Sequence, residues 1–389
     1  MHVMQISFFV DRQRRPPERL LRDWHSLEDI AAAAASSGER VTVVQASLSE
    51  GRISRRGVEY AFIAPDPPGT LLARSSSFRA LLRELAPDVV HVHGLGFARD
   101  VLALRELVPD VPILLQDHAD RVPRLWRRAP WKRAAAAVDG VSFCARAQAE
   151  PFARAGLLPP RVRVFEIPES TSAFEPGQTV AARAATGLHG DPAVLCVGHL
   201  DRNKDPLTVL DGVAAVVGDL PGLQLWWCFG SAPLWAAVQA RIARDPALRE
   251  RVHLLGRVPH ERVEQLMRAA DLFLLASHRE GGSFALIEAL ATGLTPVVTD
   301  IPSSRALIGD GAAGVLWRCG DSRSLRDALR RATAMTGARM RARVRARFDD
   351  HVSSIAIGRK FAAAYASLVR SAGATSAERP AQALAGERW

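Results

Sequence analysis

The sequence predicts an α/β protein made of two doubly wound, parallel-sheet domains. Three observations carry that expectation. Short apolar runs recur between helix-like stretches; the rhythm stops once, at a segment rich in Pro, Ser, Thr and Gly, and then restarts; and 389 residues suffice for two domains of ordinary size. Strands covered by helices on both faces read as continuous apolar runs, which is the pattern seen here. With 48% apolar and 24% charged residues, a disordered chain is excluded.

Residues 4–10 make the first expected strand, which stops at Asp11 and the basic Arg12, Arg14 and Arg15. A signal peptide would carry its basic segment first, so a strand is the better reading. An alanine-rich helix follows at 27–36 and a strand at 40–46. Helices at 78–85, 99–107 and 131–137 then alternate with strands at 88–93, 112–116 and 140–144. Residues 167–178 include Pro168, Ser170, Thr171, Ser172, Pro176 and Gly177, a linker composition. Strands are expected again at 193–198, 223–229, 252–255, 272–276 and 295–299. A final helix spans about 354–370, and the Ser/Ala/Pro/Gly-rich residues 371–389 are expected to be a disordered tail. The domains are therefore bounded as 1–170 and 171–353. In open parallel sheets ligands sit beyond the carboxyl ends of strands, so candidate residues are sought there.

No run approaches the roughly 18–20 apolar residues of a membrane-spanning helix. Cys144, Cys196, Cys228 and Cys319 are dispersed without a C-x-x-C pair, which points to neither a zinc site nor a disulfide framework and to a cytoplasmic chain. The net charge is +10, yet Lys132, Lys204 and Lys360 are the only lysines. A GC-rich genome accounts for such an arginine bias without any function. No nucleic-acid partner is expected, because no recognition motif accompanies the basic residues. The stretch 121–132 mixes Arg121, Arg124, Arg127, Arg128 and Lys132 with Leu125, Trp126 and Trp131. It reads either as a peripheral contact with anionic lipid headgroups or as a loop facing a substrate.

The most informative segment is 272–300. An apolar strand ends at Ser277, a polar loop runs through Glu280-Gly281-Gly282, and a helix begins with Ser283 as its expected N-cap. Such a helix start suits a phosphate. Within the helix Glu288 is the one polar residue among Phe284, Leu286, Ile287 and Leu290. A carboxylate on a helix apolar all round needs a donor, either from the protein or from ligand hydroxyls.

The run from Glu280 to Glu288, followed by Gly293 and Pro296, resembles the E-x7-E signature of retaining GT-B glycosyltransferases of family 4. The likeness extends along the chain in the family's order. Gly198-His199-Leu200 with Arg202 and Lys204 is similar to its phosphate-binding turn, and Gly256-Arg257-Val258 to its base-cradling loop. His93-Gly94 resembles its N-terminal strand end and Gln116-Asp117-His118 its active-site histidine. The resemblance implies the GT-B fold, two Rossmann-like domains facing across a cleft. The first would bind the acceptor, the second a nucleoside-diphosphate sugar as co-substrate, and the last helix would return to the first domain. It implies transfer to an acceptor hydroxyl with retention of configuration. No cofactor is expected, and no metal, since the chain has no Asp-x-Asp pair.

On that reading His118, Glu280, Arg202 and Lys204 are the catalytic candidates. The last two would face the charge gathering on the leaving diphosphate. Donor binding would draw on Gly198, His199, Arg202, Lys204, Val258, Glu280, Gly281, Gly282, Ser283 and Glu288, with Glu288 accepting from the ribose. Trp24, His25, His93 and Gly94 would line the acceptor side.

The chain departs from the family's pattern in three places: His199 stands where Arg is usual and Asp205 where Gly is usual, no glycine occurs in 11–26, and Gly282 replaces an aromatic residue. Those departures keep two alternatives open, a catalytically silent sugar-nucleotide-binding homologue and a sugar-nucleotide epimerase. His91 and His93 share a strand face, but no third ligand lies near in sequence, so a metal is discounted. A dehydrogenase is discounted too, because Gly94-Leu95-Gly96 lacks the third glycine of a dinucleotide fingerprint.

Overall fold

The computed structural model describes residues 1–377, without the side chains of residues 25, 26 and 374–377. The chain forms two compact units: Met1–Glu169 together with the chain from Ile357 onward, and Ser170–Ala356.

The sheet of the first unit has eight strands among the described residues. They are β1 (His2–Asp11), β2 (Arg40–Ser47), β3 (Gly51–Arg55), β4 (Val58–Ile63), β5 (Val89–His93), β6 (Ile113–Gln116), β7 (Gly140–Phe143) and β8 (Arg163–Glu166). Their order is β3-β4-β2-β1-β5-β6-β7-β8, and every pairing is parallel except β3 with β4. Residues of β5 are buried throughout. The edge hairpin β3–β4 escapes a reading by apolar runs because β3 is mostly exposed, and β8 likewise holds only half-buried and exposed residues.

The second unit holds β9 (Ala193–Val197), β10 (Gln224–Cys228), β11 (Val252–Gly256), β12 (Leu272–Leu275), β13 (Thr295–Thr299) and β14 (Val315–Trp317). These run wholly parallel in the order β11-β10-β9-β12-β13-β14. Numbered within the unit this is 3-2-1-4-5-6, the dinucleotide-binding order, whose direction reverses between β9 and β12. The parallel strands of the first unit repeat the scheme, with the reversal between β1 and β5. At such a switch point the connections on either side leave toward opposite faces and open a crevice at the strand ends. The two crevices thus lie beyond β1/β5 and beyond β9/β12.

The final helix, Ser354–Ala377, completes the first unit. Phe361 and Tyr365 are fully buried, and Gly358 lies so close to the helix His25–Ser36 that a Cβ would collide with the Ala33 carbonyl oxygen. Residues 371–377, expected within a disordered tail, are helical. Ala372, Ala374 and Ala377 are strong helix formers, and Gly373 costs only about 1 kcal/mol against alanine. The rest of the expected tail lies outside the described residues.

Candidate functional site

In the second unit, β9 leads into Gly198 at φ +153°, a backbone conformation that favours glycine; the Lys204 side chain packs over it, with Cε 3.2 Å from where a Cβ would stand. Asp201 Oδ1 accepts from the backbone N–H groups of Asn203 and Lys204, each at 2.9 Å, and so shapes the turn. Asn203 then fastens this turn to the one after β12. Its Nδ2 donates to the Arg279 carbonyl at 3.0 Å, its Oδ1 accepts from Arg279 N at 3.2 Å, and its carbonyl accepts from His278 N at 2.8 Å. The fastening brings Lys204 Nζ to 2.5 Å from Glu280 Oε1, both largely shielded from solvent. The two turns are thus held by one backbone bond and two bonds of the Asn203 side chain, and the charge pair sits on that frame.

Asp205 explains one departure from the family's pattern. Its φ is +44°, in the left-handed region where glycine is favoured and aspartate tolerated. Its side chain caps the helix Pro206–Val216 through Thr208 N and accepts from His278 Nε2 at 3.0 Å. His199 Nδ1 accepts from Ser231 N at 3.1 Å, and Arg202 is exposed on the same loop. Arg257, named in the sequence only as part of the loop after β11, donates to the Gly230 carbonyl beside His199 and adds a cation to these strand ends.

Gly281, Gly282 and Ser283 are buried at the start of the helix Phe284–Ala291. Ser283 occupies the N-cap position, but its hydroxyl makes no capping bond, which corrects the expected role of that side chain. Glu288 is only 8% exposed. Its Oε1 accepts from a protein donor, His260 Nε2 at 2.6 Å. The Glu288 hydrogen bond and charge raise the His260 imidazole above its ordinary value against the opposing effect of partial burial. Phe174 packs on the same ring with centroids 4.7 Å apart. Val258 is half-buried just beyond β11.

In the first unit a cavity of about 710 Å³ opens at the ends of β1 and β5, walled by Asp11, Arg15, Trp24, His93, Gly94 and His118 among others. Asp11 is buried and ties the glycine-free loop that follows. Its carboxylate accepts from Gln13 N, from Arg15 N and twice from the Arg15 guanidinium, and these bonds hold it below the usual carboxylate range against the cost of burial. Arg14 supplies the positive φ that a glycine would. Arg15 also lies 4.9 Å over the Trp24 ring, which meets Phe9 edge-on at 5.4 Å. Gly94, at φ +89°, lets the Phe97 ring approach. The His25 side chain lies outside the described residues.

His118 Nδ1 donates to Glu169 Oε2 at 2.7 Å, and its Nε2 lies 3.2 Å from His93 Nδ1. His93 Nε2 is 3.2 Å from Gln5 Oε1. His91 stacks on His93, centroids 4.7 Å apart, and shares a hydrogen bond with the Tyr365 hydroxyl at 2.8 Å. Burial, reinforced by the charge of His118, pushes His91 down to about 3, so it stays neutral inside the fold. Burial likewise pushes Asp117 up to about 7, aided by Asp120, against the Asp120 N–H it accepts. Glu169 and Gln5, like Asn203 and His260, were not singled out from the sequence. Each meets its partner only because strand order brings distant segments together.

Comparison with known proteins adds the family. The model described as "Glycosyltransferase Family 4" matches residues 25–166, and "Glycosyl transferases group 1" matches residues 191–334. The chain is 27% identical over 277 residues to a GDP-mannose:cellobiosyl-diphosphopolyprenol alpha-mannosyltransferase of Xanthomonas campestris, covering 69% of this chain and 67% of that one. It is 32% identical over 162 residues to a D-inositol 3-phosphate glycosyltransferase of Nocardia farcinica, across 40% of this chain and 36% of the relative. Among solved structures, sucrose-phosphate synthase from Thermosynechococcus elongatus superposes with a TM-score of 0.69 at 17% identity, covering 95% of this chain and 100% of that one. HepE of Anabaena in complex with UDP does so with a TM-score of 0.68 at 17% identity, over 94% and 100%. Together with the two switch-point sheets, these likenesses establish the GT-B fold, and the chain belongs to the family 4 glycosyltransferases.

Proposed function

We propose that the chain transfers a sugar from a nucleoside diphosphate to an acceptor hydroxyl with retention of configuration and without a metal. The observation that carries this reading is the Lys204–Glu280 pair, held on two interlocked turns at the switch point of the second unit. An ammonium has three donors. One serves Glu280, and the others can meet diphosphate oxygens as their charge grows in the transition state. Arg202, His199 and Arg257 ring the same strand ends. Glu280 would hold hydroxyls of the transferred sugar, and Glu288, steadied by His260, would take the ribose. The acceptor would occupy the cavity of the first unit, beside Trp24, His93 and His118. A relative named for GDP-mannose and a fold neighbour bound to UDP support a nucleotide-sugar donor.

The test is a thermal-shift screen with UDP, GDP, ADP and TDP and their sugar derivatives in the presence of a chelator. Transfer to candidate acceptors is then assayed, with the product's anomeric configuration read by NMR. Stabilisation by one nucleotide and a product of unchanged configuration are expected. A strict need for a divalent ion, an inverted product, or no binding at all would overturn the respective part of the reading.

We also place the protein in the cytoplasm, at the face of an anionic membrane. The four cysteines are free thiols, and no described helix is long and apolar enough to cross a bilayer. Leu125 and Trp126 are 74% and 73% exposed on a short turn followed by Arg127, Arg128, Lys132 and Arg133. An apolar tip within a basic collar matches headgroups over acyl chains.

A further inference from the structure

The histidine chain of the first unit can be counted proton by proton. At one end His118 Nδ1 meets a Glu169 carboxylate oxygen at 2.7 Å, and at the other His93 Nε2 meets the Gln5 carboxamide oxygen at 3.2 Å. A carboxylate only accepts, so His118 Nδ1 carries a hydrogen; the Gln5 amide can turn either its oxygen or its Nε2, otherwise buried without a partner, toward His93. The middle link, His118 Nε2 to His93 Nδ1 at 3.2 Å, needs one more. With the Gln5 oxygen toward His93, three links need three protons on two rings, one more than two neutral imidazoles supply; with Gln5 Nε2 there, the rings need only two.

Of the two rings, His118 is the one whose surroundings favour a second proton. His93 is buried against His91, and burial together with its two histidine neighbours drives it well below its ordinary value. His118 faces Glu169, Asp117 and Asp120; burial opposes its charge, but these three acids outweigh that cost and raise it. Glu169 is itself only 5% exposed, and its Oε2 lies 2.7 Å from His118 Nδ1.

We infer that Glu169 is a positioning residue that keeps His118 as an imidazolium on the cavity wall, so that His118 serves as a hydrogen-bond donor to an oxygen of the bound substrate and not as a base toward the acceptor hydroxyl. The inference rests on the proposed reaction for its consequence, though not for the proton count itself. An imidazolium has no lone pair with which to take a proton. Its Nε2–H, held only by the 3.2 Å bond to His93, can turn to a sugar hydroxyl or phosphate oxygen at little cost, leaving His93 Nδ1 as the acceptor it displaces. Deprotonation of the acceptor then falls to another group, such as the departing diphosphate.

The experiment follows the histidine nitrogens of the full chain by proton–nitrogen NMR as a function of pH, in the wild type and in Glu169→Gln and Glu169→Asp, with His118→Gln to assign the signal. His118 should be doubly protonated at pH 7. Its midpoint should fall by about one unit or more in Glu169→Gln and return in Glu169→Asp, the size expected for losing an adjacent opposite charge. In the transfer assay, kcat of Glu169→Gln should fall about tenfold or more at neutral pH with a nearly unchanged donor KM. The loss should shrink at lower pH, where His118 is protonated without help. A singly protonated His118 at pH 7 in the wild type, or the same midpoint in Glu169→Gln, would overturn the inference. An NMR result as expected, in a protein that transfers no sugar to any acceptor, would leave the proton count standing and overturn the reaction instead.

Discussion

At the end of β9 a lysine and a glutamate meet across two interlocked turns; at the ends of β5 and β6 His93 and His118 wall a cavity, with His91 stacked behind them. Both places are switch points of the same strand order, reached by the same succession of strand, loop and helix. The topology therefore decides where a ligand goes, while the side chains at the strand ends decide what kind. The second unit offers fixed charges of both signs within hydrogen-bond reach, suited to a dianionic leaving group and a polyhydroxylated sugar. The first offers a graded set of protons with aromatic surface from Trp24 and Phe9, suited to orienting a group without neutralising a large charge.

Removing the charge from one side should cost far more than trimming the other. Lys204→Ala should lower kcat by about 10²–10³-fold, the penalty typical of losing one donor to developing charge, with a modestly lower melting temperature because Glu280 loses its shielded partner. A change confined to donor KM would instead make Lys204 a ground-state contact. Next in size, Phe361→Ala should cost about 3–5 kcal/mol in denaturant unfolding, and only in the transition of the first unit. Loss of both transitions together would show that the units do not melt separately. Glu288→Ala should abolish nucleotide-induced stabilisation while Trp24→Ala leaves it intact, and equal losses would break the division of labour between the two strand ends.

A smaller effect concerns pH. His260 has a raised folded value, so the stability it lends is complete below about 6.5 and is lost as the pH rises through the folded value. The melting point of the second unit should decline modestly from pH 6 to 8, and that slope should vanish in His260→Gln. Smallest in its effect on the fold, and confined to partition onto lipid, is Leu125→Ser with Trp126→Ser. Binding to vesicles containing phosphatidylglycerol should disappear with no change in melting. Binding retained by that variant would assign the contact to arginines alone.

How much of this was legible beforehand depended on burial. The inner strands β5, β9, β12 and β13 are buried almost from end to end and carry short apolar runs that stood out in the sequence, as did the linker composition near residue 170. The outer strands did not: β3 and β8 are largely exposed, and β14 has three residues. The helix Pro17–Asp23 was missed because it buries only Leu20 and Leu21. Within the sites, the need of Glu288 for a donor followed from its apolar helix, but the donor's identity did not, because His260 lies 28 residues away on another helix. Glu169 carried no local signal at all. It sits in a segment readable only as linker, and its value arises from the order of β6, β7 and β8, which sets its neighbours.

The chain leaves the first unit at Glu169 and re-enters it at Ile357. During translation the whole of Ser170–Ala356 must therefore emerge from the ribosome before Phe361 and Tyr365 can close the core around His91. The histidine row can be sealed only after the sequence of the second unit has been made, although its own strand is among the first made.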